Sequence, residues 1–139
     1  MSTWSKVAGL PLTIEAVELE PRSEDVSSDF TRKTTIVHLR GAGEEGLGED
    51  VVYQAEEQEA AWAAGPPDLA GEWTIASFSE HVGALDLWNG ATPAAEASRN
   101  YRRWAYESAA LDLALRQAGT SLHAHLGLEP KPITYVRMS

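Results

Sequence analysis

The chain has 139 residues, 43% of them apolar and none of them cysteine, which supplies one hydrophobic core and excludes disulfide scaffolds, thiol nucleophiles and cysteine-ligated metals. Twenty-one acidic against eleven basic side chains leave a formal net charge of −10, a field that repels nucleic acid and anionic membranes. The apolar run in the opening MSTWSKVAGLPL is too short for a signal segment, and no stretch approaches the ~20 apolar residues of a membrane span, so we expect one soluble, cytoplasmic domain without nucleic-acid or membrane partners.

The first fifty residues read as strands and most of the remainder as helices, which predicts an α+β fold. Val17 and Leu19 alternate with Glu18 and Glu20, giving a first strand over 12–20 between Pro11 and Pro21. RSEDVSSD, residues 22–29, has the composition of a long loop. TTIVHLR predicts a second strand over 34–40, Gly41 to Gly46 a turn, and 47–53 a third strand, so the layout is a three-stranded antiparallel meander with one face to be covered.

About three to four helices follow. The first, over 56–64, has glutamates in its opening turn, Trp62 as its anchor and Gly65-Pro66-Pro67 as its stop. The second, over 74–86, starts at Thr74 as N-cap and aligns Ile75, Phe78, Val82 and Leu85 in a stripe expected to face the sheet, before Asn89-Gly90 ends it. The third, over 95–118, aligns Tyr101, Trp104, Ser108, Leu111 and Leu115 as its apolar side, with Arg99, Arg102, Arg103 and Glu107 opposite. After Gly127, Pro130 and Pro132 break the pattern and Ile133 to Val136 read as a strand, either an added edge of the meander or the start of an element that the chain does not finish.

Few residues suggest chemistry of their own. His123-x-His125 falls in a short helical turn, where residues two apart point to nearly opposite faces, so two half-exposed structural histidines are expected rather than a metal site. His38 and His81 stand alone, without a nucleophile at motif spacing. Glu44, Glu45, Glu49 and Asp50 do not have the spacing of a calcium loop and read as a solvated edge. GAGEEGLGED does not follow a phosphate-binding glycine pattern, and five tryptophans at helical spacings read as core.

Two strings nevertheless resemble a known family. TTIVHLRGAGEEGLGED, with Gly46, Gly48 and Glu49 in a Gly-x-Gly-Glu strand, and AALDLAL (Ala109 to Leu115), followed by the turn from Leu122 to Gly127, are similar to the N-terminal capping domain of the enolase superfamily, in its mandelate racemase and muconate lactonizing enzyme branch. The likeness covers nearly the whole chain, although Gly119 follows Arg116-Gln117-Ala118 about one helical turn earlier than the family pattern. It implies a capping domain over 1–129 and, over 130–139, the first residues of a barrel domain.

That barrel would carry the magnesium ligands and the acid/base groups for proton abstraction alpha to a carboxylate, in a racemase, epimerase, cycloisomerase or dehydratase. The chain alone would then be inactive, without catalytic residues, metal ligands or a cofactor of its own. Its partners would be the barrel of the same protein and, through the barrel, a small carboxylate substrate. The resemblance places substrate contact at Val26, Ser27, Ser28, Asp29 and Phe30 and at Asp50, Val51, Val52 and Tyr53, with Phe30 and Tyr53 foremost. Taken singly, these residues fit a solvated loop or a strand core equally well. The acidic loop slightly favours a cationic or hydroxylated distal group on the substrate. Self-association is expected through an apolar open face of the meander and the segment 122–136. The alternative is a free-standing α+β binding or dimerisation module.

Overall fold

The computed structural model describes residues 2–136. It is an α+β fold in which a three-stranded antiparallel sheet is backed by helices. In chain order the elements are α1 (Thr3–Val7), β1 (Pro11–Ile14), β2 (Ala16–Ser27), β3 (Phe30–Gly41), β4 (Glu44–Asp50), α2 (Ala55–Ala64), β5 (Gly71–Thr74), α3 (Ile75–Ala84), α4 (Ala97–Gln117) and α5 (Leu122–Leu126). The meander β2-β3-β4 is the expected one, and a separate antiparallel ribbon pairs β1 with β5.

The first expected strand is thus divided at Glu15. Its amide donates to the Arg40 carbonyl at 2.7 Å and its carboxylate accepts from the Ala42 amide at 3.0 Å, so the chain leaves one sheet and enters the other at that residue. The expected loop over 22–29 is mostly strand: β2 stays paired with β3 from Ala16 to Ser27, with an irregularity at Val26, and only Ser28 and Asp29 form the turn. Local composition misled because Arg22, Ser23, Glu24 and Asp25 face solvent on a two-stranded projection, where nothing requires apolar residues. The next turn is also short. Ala42 and Gly43 both have positive φ, 51° and 79°, the geometry of a two-residue hairpin, so β4 occupies 44–50 rather than 47–53.

One face of the sheet presents Thr35, Val37, Leu39 and Gly41 from β3 inward, with Gly46, Gly48 and Asp50 from β4. Here α4 crosses so closely that a Cβ on Gly46 would collide with the Ala109 carbonyl, and one on Gly48 with the Ala105 carbonyl. Close approach needs small residues on both partners, and α4 supplies them: Ser98, Ala105, Ala109, Ala110 and Ala114 are buried with Arg102, Tyr106 and Leu113. The expected apolar side of this helix is therefore corrected. Tyr101, Trp104 and Ser108 face solvent, Leu111 is half-buried, and Leu115 alone of that stripe is in the core.

Trp62 is half-buried in α2, and the residue sealed beneath that helix is Gln58. Thr74 caps α3 as expected, in a reciprocal arrangement with Ser77. Ile75, Phe78 and Val82 are buried, but they pack on α4 and the β1–β5 ribbon rather than on the three-stranded sheet, and α3 ends at Ala84. In α5, His125 donates from Nε2 to the Lys6 carbonyl at 2.7 Å, while His123 lies 3.3 Å from the Ser121 hydroxyl, so the two rings serve different partners. Residues 128–136 form no strand, and Leu128, Ile133, Tyr135 and Val136 are exposed. The last three residues of the expected final element, 137–139, lie outside the described residues.

The open face of the meander is mainly charged, with Leu47 exposed among the charges. Glu18, Glu20, His38, Arg40 and Glu45 lie across it, with Arg40 bound to Glu18 at 2.7 Å and to Glu45 at 2.5 Å, and His38 2.7 Å from Glu20 and 3.1 Å from Glu45. Burial of the His38 ring disfavours its charge, but the carboxylates of Glu20 and Glu45 outweigh burial and raise its pKa above the ordinary value. The guanidinium of Arg40, then His38, lowers the pKa of Glu45. No described helix is long and apolar enough to cross a membrane.

Candidate functional site

The two segments singled out in the sequence, 26–30 and 50–53, come together at the far end of the sheet. Phe30 opens β3 immediately after the hairpin turn, and Tyr53 follows β4 as the chain turns toward α2. Their rings stack with centroids 5.3 Å apart and planes inclined by 15°. Arg32, two residues after Phe30 and therefore on the same side of β3, places its guanidinium 5.3 Å from the Tyr53 ring centroid and donates from Nη2 to the Val51 carbonyl at 2.8 Å. Tyr53 is thus held across Phe30 and Arg32 with 60% of its surface in solvent. Val26 and Val51 are also exposed.

The remaining residues of the two segments have other roles. Ser28 and Asp29 make the turn, with the Asp29 amide donating to the Ser27 hydroxyl at 3.4 Å. Val52 is fully buried, and Asp50 is 3% exposed, so neither offers surface to a ligand. The expectation that they touch substrate is corrected for a structural reason: β4 ends by turning both side chains inward to anchor the segment.

Asp50 is the hub of that anchor. Its Oδ2 accepts from Arg102 Nε at 2.6 Å, while Oδ1 accepts from the Val52 amide at 3.0 Å and from Gln58 Nε2 at 3.2 Å. Gln58 also donates to the carbonyls of Asp50 and Val52, both at 3.0 Å, and accepts from the Thr35 hydroxyl, which in turn takes the Trp62 indole N–H. Arg102 donates further to the carbonyls of Leu87 and Glu57 and lies 4.0 Å from the Trp88 ring centroid. A buried carboxylate and a buried guanidinium are tolerable only with partners at this density. Nearby, burial, reinforced by the Asp50 carboxylate and opposed by Arg102, pushes the Tyr106 hydroxyl up to about 12. It stays protonated at any physiological pH.

Between the inner side of the hairpin tip and the start of α2 lies an open cleft of about 610 Å³, lined by Ser23, Phe30, Thr31, Lys33, Tyr53 and Gln54 among others. Lys33 does not offer it a free cation, since its Nζ binds Glu59 at 2.6 Å. The tip therefore presents aromatic and aliphatic surface, the Tyr53 hydroxyl and nearby carboxylates, of which Asp25 accepts from the Thr31 hydroxyl at 2.8 Å. Among the described residues no group of three or more histidines and carboxylates stands where it could hold a metal ion.

Arg102, expected opposite the apolar side of its helix, is instead buried, and Gln58 and Arg32 drew no attention in the sequence. The spacing of Arg102 from Ala105 and Ala109 places it on the face that the glycines of β4 require to be small, a signal visible only once that pairing is known.

The sequence profile described as "Domain of unknown function (DUF8230) N-terminal domain" matches residues 5–125, and the chain belongs to that family. No curated protein and no solved structure shows a significant match to the chain.

Proposed function

We propose that this N-terminal domain is the capping and substrate-specificity part of a magnesium-dependent enzyme of the enolase-superfamily type, acting on a small carboxylate by abstraction of its alpha proton. The observation that carries the reading is the convergence of the hairpin with 51–53: Phe30 stacks on Tyr53 and Arg32 binds the Val51 carbonyl, so two segments separated in sequence meet, with Val26 exposed beside the hairpin turn. The close seam of Gly46 and Gly48 on α4 supports it, because it accounts physically for the two strings on which the resemblance rests.

In this reading the chemistry belongs to a barrel domain, where a magnesium ion would act as a Lewis acid on the substrate carboxylate. This chain's residues exclude water over the barrel mouth and touch the far end of the substrate. Val26, Phe30, Val51 and Tyr53 make that contact. Asp50, Arg102 and Gln58 hold the second segment rigid behind them. The cysteine-free composition and the acidic charge suit a cytoplasmic enzyme. The alternative, a free-standing binding or dimerisation module, differs in the size of the native protein.

The test is the full-length gene product. Its intact mass should exceed 15.1 kDa by a barrel-sized domain, it should bind magnesium by calorimetry, and Tyr53→Ala should raise KM or redirect substrate preference more than it lowers turnover. A native product of 15.1 kDa, or magnesium binding by the 139-residue chain itself, overturns the proposal.

A further inference from the structure

The solvent face of α4 is the least expected surface of the protein. Trp104 is 54% exposed and Tyr101 39%, with their rings 5.9 Å apart, and Trp4 on α1 is 52% exposed. At those exposures the three aromatic side chains leave about 350 Å² in water, against the roughly 800 Å² per partner of a standard interface. Beside them, between α1, α3 and α4, opens a mainly apolar cavity of about 150 Å³, lined by Trp4, Val7, Ile75, Phe78, Ala110 and Leu111 with Ser79 and Glu107 at its polar side.

From these features we infer that α4 is the contact between two copies of this chain, packed antiparallel about a two-fold axis near Ser108, with Trp104 of each copy entering the cavity of the other. Three observations select a second copy as the occupant.

The first is that knob and hole lie on the same face, as an isologous contact requires. Trp104 and Leu111 are seven residues apart, about 10 Å along the helix. A two-fold axis midway between them therefore sets Trp104 of one copy opposite Leu111 of the other.

The second is the residue at the crossing. Ser108 is exposed and small, so the helices can approach closely where the axis passes.

The third is charge. A chain of net charge −10 repels its copies, but the charged residues along α4 cancel in local pairs: Glu96 with Arg99 at 3.0 Å, Arg103 with Glu107 at 3.3 Å and Asp112 with Arg116 at 3.0 Å. This face is electrically neutral, whereas on the open face of the meander the three carboxylates of Glu18, Glu20 and Glu45 outnumber Arg40 and His38, which pair with them, and the excess negative charge opposes the same approach.

Sedimentation velocity on the 139-residue chain tests the inference. We expect a concentration-dependent species of twice 15.1 kDa, lost in Trp104→Glu and retained in Tyr135→Ala, whose ring is exposed in the segment after α5. Because Trp104 lies outside the core, circular dichroism should show both variants folded. A second arm uses the absence of cysteine: Ser108→Cys places a single thiol near the axis, within disulfide reach of its copy, and should cross-link on mild oxidation, whereas Ser23→Cys on the hairpin should not. A wild-type chain that stays monomeric at all accessible concentrations, a dimer that survives Trp104→Glu, or equal cross-linking through Ser23 and Ser108 overturns the assignment.

Discussion

Replacing Arg102 by methionine while Asp50 stays in place tests what holds the 51–53 segment. The two side chains are each 4% exposed and meet at 2.6 Å. In Arg102→Met the Asp50 Oδ2 loses its partner, the carbonyls of Leu87 and Glu57 lose donors at 3.4 and 3.2 Å, and the Trp88 ring loses the cation above it. Breaking one side of a buried ion pair costs about 3–5 kcal/mol, against about 5–15 kcal/mol for the whole stability of a domain. The variant should therefore lose a large part of its stability in urea denaturation followed by tryptophan fluorescence, and so should Asp50→Asn. The double variant Asp50→Leu/Arg102→Met leaves no stranded charge, so its loss should fall short of the sum of the single losses by about 2 kcal/mol or more. A loss below about 1 kcal/mol in Arg102→Met, the range of an exposed pair, would refute the reasoning, as would additivity of the two single changes.

Two further outcomes follow from the sheet. Gly48→Ala forces a Cβ against the Ala105 carbonyl and should cost about 1–3 kcal/mol in the same assay, whereas Gly9→Ala, with no heavy atom within 4 Å, should change stability by less than about 0.5 kcal/mol; equal effects would show that the seam is not tight. His38 has a raised pKa in the fold, so its contribution is complete below the ordinary value of 6.5 and is lost as pH rises through the higher folded value. Thermal scans should show stability falling across neutral pH by under about 1 kcal/mol after solvent screening at Glu20 and Glu45, and His38→Gln should remove that slope. An unchanged slope in the variant would assign it to another group.

How far these features were legible depended on what each element must bury. The core of β3 and the span of α2 follow from β-branched alternation and from Gly65-Pro66-Pro67, both local signals. The ribbon of β1 with β5 pairs Pro11 with Thr74 and Ile14 with Gly71, across some sixty residues, and four-residue strands carry too little periodicity to announce that. On α4 the large apolar residues traced a convincing stripe, yet burial went to alanines. Helix periodicity assumes that the bulkiest residues fill the core, and that assumption fails where the opposing strand offers glycine. Tyr101 and Trp104 were then free to serve a surface.

The candidate site divides along the same physical line. Phe30 and Tyr53 could be picked out by type, as aromatics in segments rich in polar residues, and the structure brings them into contact. Their support could not, because a buried Arg102 on one helix, a buried Gln58 on another and Asp50 at the end of a strand carry no mark of burial until the three meet. Polar residues that enter a core together restrict the ways it can pack, since each demands its particular partners. At this site the restriction falls one residue from Val51 and three from Tyr53. The segment is therefore fixed at its root and exposed at its tip, and changes at Tyr53 should alter what the tip touches without disturbing the core, whereas changes at Asp50 or Arg102 should loosen the whole segment.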